Sequence, residues 1–214
     1  MRIYLANHSG AEFHYLNGKY DRMGWLLGPV SFKTTKLRPF VKIAFDNDAF
    51  GAWQNKEEWD EKAWLEMIEG IRRQKLQPEW ILVPDVVGDK DATLRNFLAY
   101  RYHLNGFKIA FAVQDGMVPQ DVPDVDCIFL GGTLKWKWRT LTMWRNAFPG
   151  KILHVGRVNR LGKLLACERV GVDSIDGTGW FRRPPAEWME DLIYFFEGKH
   201  KDQQSFFEVV TDEN

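Results

Sequence analysis

Two aspartates, Asp173 and Asp176, stand where a short apolar rise, Val170-Gly171-Val172, gives way to Gly177-Thr178-Gly179. A carboxylate at the point where a buried strand opens into a loop is where open α/β sheets and barrels put their chemistry. Asp176 is the candidate nucleophile, and loop capping by either aspartate is the plainer alternative. Other apolar runs end the same way. Val41–Phe45 runs into Asp46-Asn47-Asp48, Trp80–Pro84 into Asp85, and Lys108–Val113 into Gln114. Cys127–Leu130 runs into Gly131-Gly132-Thr133, and Lys151–Val155 into Gly156. Two carboxylates flanking a ligand suit general acid–base work plus nucleophilic attack, the pairing used on glycosidic bonds. Paired glycines let main-chain groups approach a flat ligand closely. Singly, each residue also reads as a cap, a backbone partner or a turn. Their shared position at strand ends favours a site.

The elements that must position them follow from periodicity. Arg2 to Asn7 reads as a first strand, with polar Asn7-His8-Ser9-Gly10 at its end. Leu16 to Leu27 reads as a weakly patterned helix. Asn55, with Glu58 three residues on, predicts a capping box for a helix reaching about Lys75. Trp59, Ala63, Trp64, Met67, Ile68 and Ile71 recur behind it at helical spacing. Further helices are predicted over 92–104, 138–147, 160–170 and 186–197, and a short last strand over Asp173–Ile175. Strand, loop and helix repeated about seven times imply parallel pairing through right-handed crossovers. The prediction is a single, compact α/β domain over 1–214, a (β/α) TIM-like barrel with an irregular or missing unit and a polar C-terminal tail over 199–214.

At 214 residues, 45% hydrophobic and 27% charged, the chain has an ordinary globular composition. It holds no apolar run long enough for a bilayer, and Met1-Arg2-Ile3-Tyr4 does not read as a signal peptide. Cys127 and Cys167 match no zinc spacing. A cytoplasmic location without membrane contact is expected. Lys and Arg number 29 against 29 Asp and Glu, yet the charges are segregated. From Cys127 to Cys167 there is no acidic residue and there are eight basic ones, the footprint of a phosphate-binding face or of a solvated helix face. Lys135, Lys137, Arg139, Arg157, Arg160 and Lys163 are its candidate nucleic-acid contacts. Trp136, Trp138 and Trp180 are available to stack on exposed bases, and Trp136 and Trp138 read equally as core residues.

The strand-end residues resemble those of a family, the tRNA-guanine transglycosylases, and especially their short phage-associated relatives that place 7-deazaguanines in DNA. The family's TDSGGFQ looks like Phe45-Asp46-Asn47-Asp48-Ala49-Phe50, and its FDE strand end like Pro84-Asp85-Val86. Its GIIQG is similar to Ala112-Val113-Gln114-Asp115-Gly116, and its VGGL to Leu130-Gly131-Gly132-Thr133. Its YLMGVG, followed by a helix and GIDMFDC, resembles Leu153-His154-Val155-Gly156 through Gly171-Val172-Asp173-Ser174-Ile175-Asp176. The five motifs run in order over Val41 to Thr178. Asp48-Ala49 replaces a Gly-Gly pair, no aromatic follows Asp85 within Val86 to Asp89, and the cysteines and histidine of the family's zinc site have no counterpart.

The resemblance implies base exchange in DNA, with guanine replaced by a preQ0-like 7-deazaguanine. Asp176 is then the nucleophile, Asp85 the acid and base, and Asp173 a structural residue. Asp46, Asn47, Phe50, Gln114, Gly131, Gly132, Thr133, Val155 and Gly156 would hold the base. The expected partners are DNA, through the basic stretch 127–167, and the free base. No cofactor or metal is expected, and a homodimer is left open. The alternatives are a tRNA-guanine transglycosylase-like enzyme acting on RNA, an N-glycosidase, and a non-catalytic nucleic-acid-binding barrel.

Overall fold

Short runs of residues buried on both faces build the centre of the molecule, as parallel strands covered by helices require. A computed structural model describes residues 1–6 and 10–200. In chain order its elements are β1 (Arg2–Leu5), α1 (Ala11–Tyr20), β2 (Met23–Leu27), α2 (Pro29–Thr34), β3 (Lys42–Phe45), α3 (Ala49–Asn55) and α4 (Glu61–Arg73). There follow β4 (Ile81–Leu82), α5 (Lys90–Tyr100), β5 (Ile109–Val113), β6 (Cys127–Leu130), α6 (Leu134–Ala147), β7 (Ile152–Val155), α7 (Leu161–Val170), β8 (Ser174–Asp176) and α8 (Pro185–Phe196). Each strand pairs in parallel with the next, and β8 pairs with β1, closing an eight-stranded barrel. The chain is a single (β/α) barrel of the TIM type.

No strand is missing. The strand that sequence patterning overlooks is β2, read there as the end of a helix over 16–27. Met23-Gly24-Trp25-Leu26-Leu27 is buried throughout, and a continuous apolar run of this length fits a buried strand as well as a buried helix. Asp21, in the left-handed region at φ 48°, ends α1 before it. The irregular unit is the β5–β6 crossover, where a single 3-10 turn over Pro119–Asp121 stands in place of an α-helix. The capping box at Asn55 is also corrected. Asn55 is the last residue of α3, and Asp60 caps α4 by accepting the Ala63 N–H at 2.8 Å. The strand end at Asn7-His8-Ser9 and positions 201–214 of the tail lie outside the described residues. Within that tail, Lys199 pairs with Glu197, while His200 is buried and stacks on Phe195.

Register sorts the side chains into two layers. Tyr4 is level with Gly24 and Asp176, Phe129 with His154, and His154 with Ser174. Partners level with each other share a face, and the face alternates along each strand. Tyr4, Leu26, Ala44, Trp80, Leu82, Ala110, Ala112 and Cys127 form the inner core, joined by Phe129. The alternate residues, Val83, Val113, Leu130, Val155 and Ile175, pack outward against the helices. At β7 and β8 the inner positions fall on His154, Ser174 and Asp176. A layer of rings, with Trp80 and Phe129 centred 4.8 and 4.7 Å from the His154 ring, closes the barrel beneath the strand ends.

Candidate active site

The C-terminal ends of the strands surround a cavity of about 280 Å³, lined by Asp46, Asn47, Phe50, Asp85, Gln114, Phe129, Gly131, Gly132, Gly156, Arg157 and Asp176, with Gln54, Leu82, Val87, Asn159 and Thr178. That volume is at the small end of the roughly 300–1,000 Å³ typical of small-molecule sites. A larger hollow of about 390 Å³ lies at the opposite end of the barrel, between Leu37–Phe45 and Lys75–Pro78, and contains none of the strand-end carboxylates.

Asp176 is gripped from two sides. Its Oδ1 accepts the Arg157 backbone N–H at 3.1 Å, and its Oδ2 lies 3.0 Å from His154 Nε2. The other ring nitrogen of His154 meets Ser174 Oγ at 2.9 Å. Burial lowers the His154 pKa against the pull of Asp176, so the ring is neutral at physiological pH. Nε2 then carries the proton toward the carboxylate, and Nδ1 accepts from the serine hydroxyl. The β8 loop is tied to the β7 loop as well. Val158 N–H donates to Asp176 O at 2.7 Å, and Trp180 Nε1 donates to Val158 O at 2.8 Å.

Asp85 is fixed by two carboxamides. Asn47 Nδ2 donates to one oxygen at 2.8 Å and Gln114 Nε2 to the other at 2.7 Å. These donors oppose a desolvation that still leaves the Asp85 pKa raised. Asn47 also donates to Val83 O and accepts from the Ala49 N–H, while Gln114 Oε1 accepts the Gly88 N–H. Both side chains line the cavity and are engaged at both ends of their amides, so they act first on Asp85.

Asp46 has a different setting. One backbone donor, Asn47 N at 2.7 Å, meets its Oδ1. Burial, followed by repulsion from Asp48, Asp176 and Asp85, pushes its pKa up to about 8. The carboxyl is partly open to the cavity, but the surrounding protein and three like charges outweigh that access. Asp48 turns away, with its carboxylate against Gly28 and accepting the Val30 N–H at the start of α2.

The glycines have identifiable reasons. A Cβ on Gly156 would stand 2.9 Å from the Phe129 ring and 3.3 Å from Asp176 Oδ2. Gly132 has φ +66°, and a Cβ there would meet Asp115 Oδ2 at 2.5 Å. Arg157, also left-handed at φ 61°, lays its guanidinium 4.3 Å over the Phe50 ring and donates to Gly132 O. The β6 loop, the β7 loop and α3 are thereby joined across the cavity mouth.

Some expected residues lie elsewhere. Val155 is fully buried and faces the helices, because the residue next to an inward His154 must face outward. Thr133 is exposed and outside the cavity lining, bonded through its hydroxyl and N–H to Asp115 at 2.6 Å. Lys137 is no surface contact. It is fully buried and donates to Gly156 O. Trp136 and Trp180 are core residues, and Lys163 covers the Trp138 ring at 4.4 Å. Arg157 leans inward over the cavity rather than joining the outer basic surface. Lys135, Arg139, Arg160 and Lys163 are exposed on and beside α6 and α7. Arg145 and Lys151 are paired with Asp173 and Asp124. Asp173 also accepts the Leu153 N–H at 2.8 Å, a structural tie. His154 and Ser174 are the site residues that strand-end reading missed. Alternation back from Asp176 and Gly156 points to them.

Among the described residues, no three His, Cys, Asp or Glu side chains gather as metal ligands, and no helix is long and apolar enough to cross a membrane. Fold and site together define a parallel α/β barrel with a carboxylate-lined pocket at its strand C-termini. No protein-family model matches the chain, and no curated protein matches it.

Proposed function

We propose that the chain is a transglycosylase that exchanges a guanine in DNA for a 7-deazaguanine of the preQ0 type. The observation that carries the reading is the convergence of Asp176, Asp46 and Asp85 on one small cavity, with Asp176 oriented by His154 and the Arg157 N–H. The order of five motifs along the strand ends supports the same chemistry. So does the remaining exposed basic surface, whose Lys135, Arg139, Arg160 and Lys163 suit phosphates.

A guanine leaves the base stack, at about a few kcal/mol, to enter the cavity. Asp176 attacks C1′ as the C1′–N9 bond breaks, and the base departs with the bonding electrons and a proton. An aspartyl ester of the sugar remains. The incoming base loses its N9 proton to the carboxyl that gave one up, and N9 attacks C1′ with Asp176 leaving. Two displacements retain configuration. The proton is carried by the Asp46–Asp85 pair. Asp46 holds one at neutral pH, which makes it the better-supplied donor, and Asp85 is fixed by Asn47 and Gln114 as its partner. Gly131, Gly132 and Gly156 line the cavity without side chains, which lets the flat face of a base come close to the backbone.

The test is incubation of the protein with DNA and labelled 7-deazaguanine, followed by digestion and mass spectrometry of the nucleosides. Incorporation, lost in Asp176→Asn along with any covalent DNA adduct, is the expected result. Absence of label beside an active control enzyme overturns transfer, and alkali-labile sites formed without added base redirect the reading to hydrolysis. A parallel arm with tRNA separates the nucleic acids.

A further inference from the structure

Lys137 occupies a position where a lysine is costly. Helix α6 turns Lys137, Leu141 and Trp144 toward the barrel, and Lys137 has no exposed surface. Its ammonium donates to the carbonyl oxygen of Gly156. That carbonyl and the N–H of Arg157 belong to the same peptide unit, and the N–H is the one that donates to Asp176 Oδ1. One rigid amide is thus held at its oxygen by a buried cation and at its hydrogen by the carboxylate. A cation on the carbonyl draws electron density through the amide and strengthens the N–H as a donor.

We infer that Lys137 is a positioning residue that acts on Asp176 through the Gly156–Arg157 peptide, fixing the carboxylate and strengthening the hydrogen bond that holds it. The consequence for catalysis rests on the reading of Asp176 as nucleophile, whereas the coupling itself does not. Burial, then the positive charge of Arg157, brings the Lys137 pKa down to about 7, so the grip is adjustable near neutrality. The charged or titratable groups around it are Arg157, Asp176, Cys167 and His154, with Asp46 and Asp85 farther across the cavity. Cys167, pushed up to about 12 by burial, stays neutral over this range.

The experiment follows the Arg157 amide and the His154 ring by NMR between about pH 6 and 9, the range in which a buried lysine of this kind titrates. The titration is read in Asp46→Asn, because Asp46 itself titrates near pH 8 and repels the same carboxylate. There the assigned signals should move together with one midpoint, which should vanish when Lys137→Met is added. Adding Lys137→Arg should keep the Arg157 amide at its low-pH position. Unresponsive signals in Asp46→Asn, or a midpoint that survives Lys137→Met in that background, overturn the inference. Should the Lys137→Met variant not fold, ¹³Cε-lysine labelling of Asp46→Asn gives the ammonium's own midpoint, and disagreement with that of the Arg157 amide overturns it equally. In the exchange assay Lys137→Met should lower kcat by about tenfold or more with little change in KM for the free base. Coupling seen in Asp46→Asn beside a wild type that exchanges no base removes the proposed function and leaves the coupling standing.

Discussion

His154 Nε2 and Asp176 Oδ2 lie 3.0 Å apart inside the barrel, on neighbouring strands whose inner positions coincide. The contact fixes one oxygen of the carboxylate, while the Arg157 N–H holds the other. Replacing the imidazole with an apolar ring would keep the volume and remove the donor. His154→Phe should slow exchange by about 10–100-fold with little change in KM, as loss of an orienting partner typically does. Ser174→Ala should cost less, because it frees only the far ring nitrogen. Steady-state incorporation kinetics check both.

Asp46 gives the protein a pH dependence of known sign. Its folded pKa, about 8, lies above the ordinary aspartate value of 3.8, so between these the folded state binds the extra proton. Stability from this group is therefore greatest at the acid end and is lost as pH rises toward 8. Asp46→Asn should flatten that part of the stability curve in urea titrations across the range. If Asp46 supplies the proton, wild-type exchange should also show an alkaline limb near pH 8, and Asp46→Asn should lose most of its activity.

Gly156→Ala tests the close packing of the floor. Its Cβ would press on the Phe129 ring at 2.9 Å and crowd Asp176 Oδ2 at 3.3 Å. Overpacking of this kind costs about 1–3 kcal/mol. Equilibrium unfolding should register that loss, and exchange should fall further than stability alone explains, because the displaced groups hold Asp176.

The exposed cations should separate from the buried one. Glu substituted at Lys135, Arg139, Arg160 or Lys163 should weaken binding of a DNA oligonucleotide without altering the melting temperature much. The slope of log K against log salt should fall by about one for each phosphate contact removed. Trp53, 56% exposed and 5.7 Å from Phe50 at the mouth, is a candidate stacking surface. Trp53→Ala should cost about 1–3 kcal/mol of binding if a base lies on it. Fluorescence anisotropy at several salt concentrations measures all five.

Apolar runs and turn residues in the sequence are enough to define a parallel α/β barrel, because seven of the eight strands read as short apolar runs ended by a polar residue or a glycine. They also placed Asp46, Asp85, Gln114 and Asp176 at strand ends, and all four line one cavity. The strand that escapes this reading is β2, because Met23–Leu27 is apolar without alternation, a pattern that buried helices share. Charge alone puts Lys137 on the surface, although its spacing to Leu141 and Trp144 follows the apolar stripe of α6. Local sequence gives a residue's phase on its own element. Only the pairing of neighbouring strands and the packing of α6 on them bring His154 against Asp176, Gln114 against Asp85, and Lys137 against the peptide beneath Arg157. Those contacts cross 19 to 29 residues of chain and depend on strand register and helix packing.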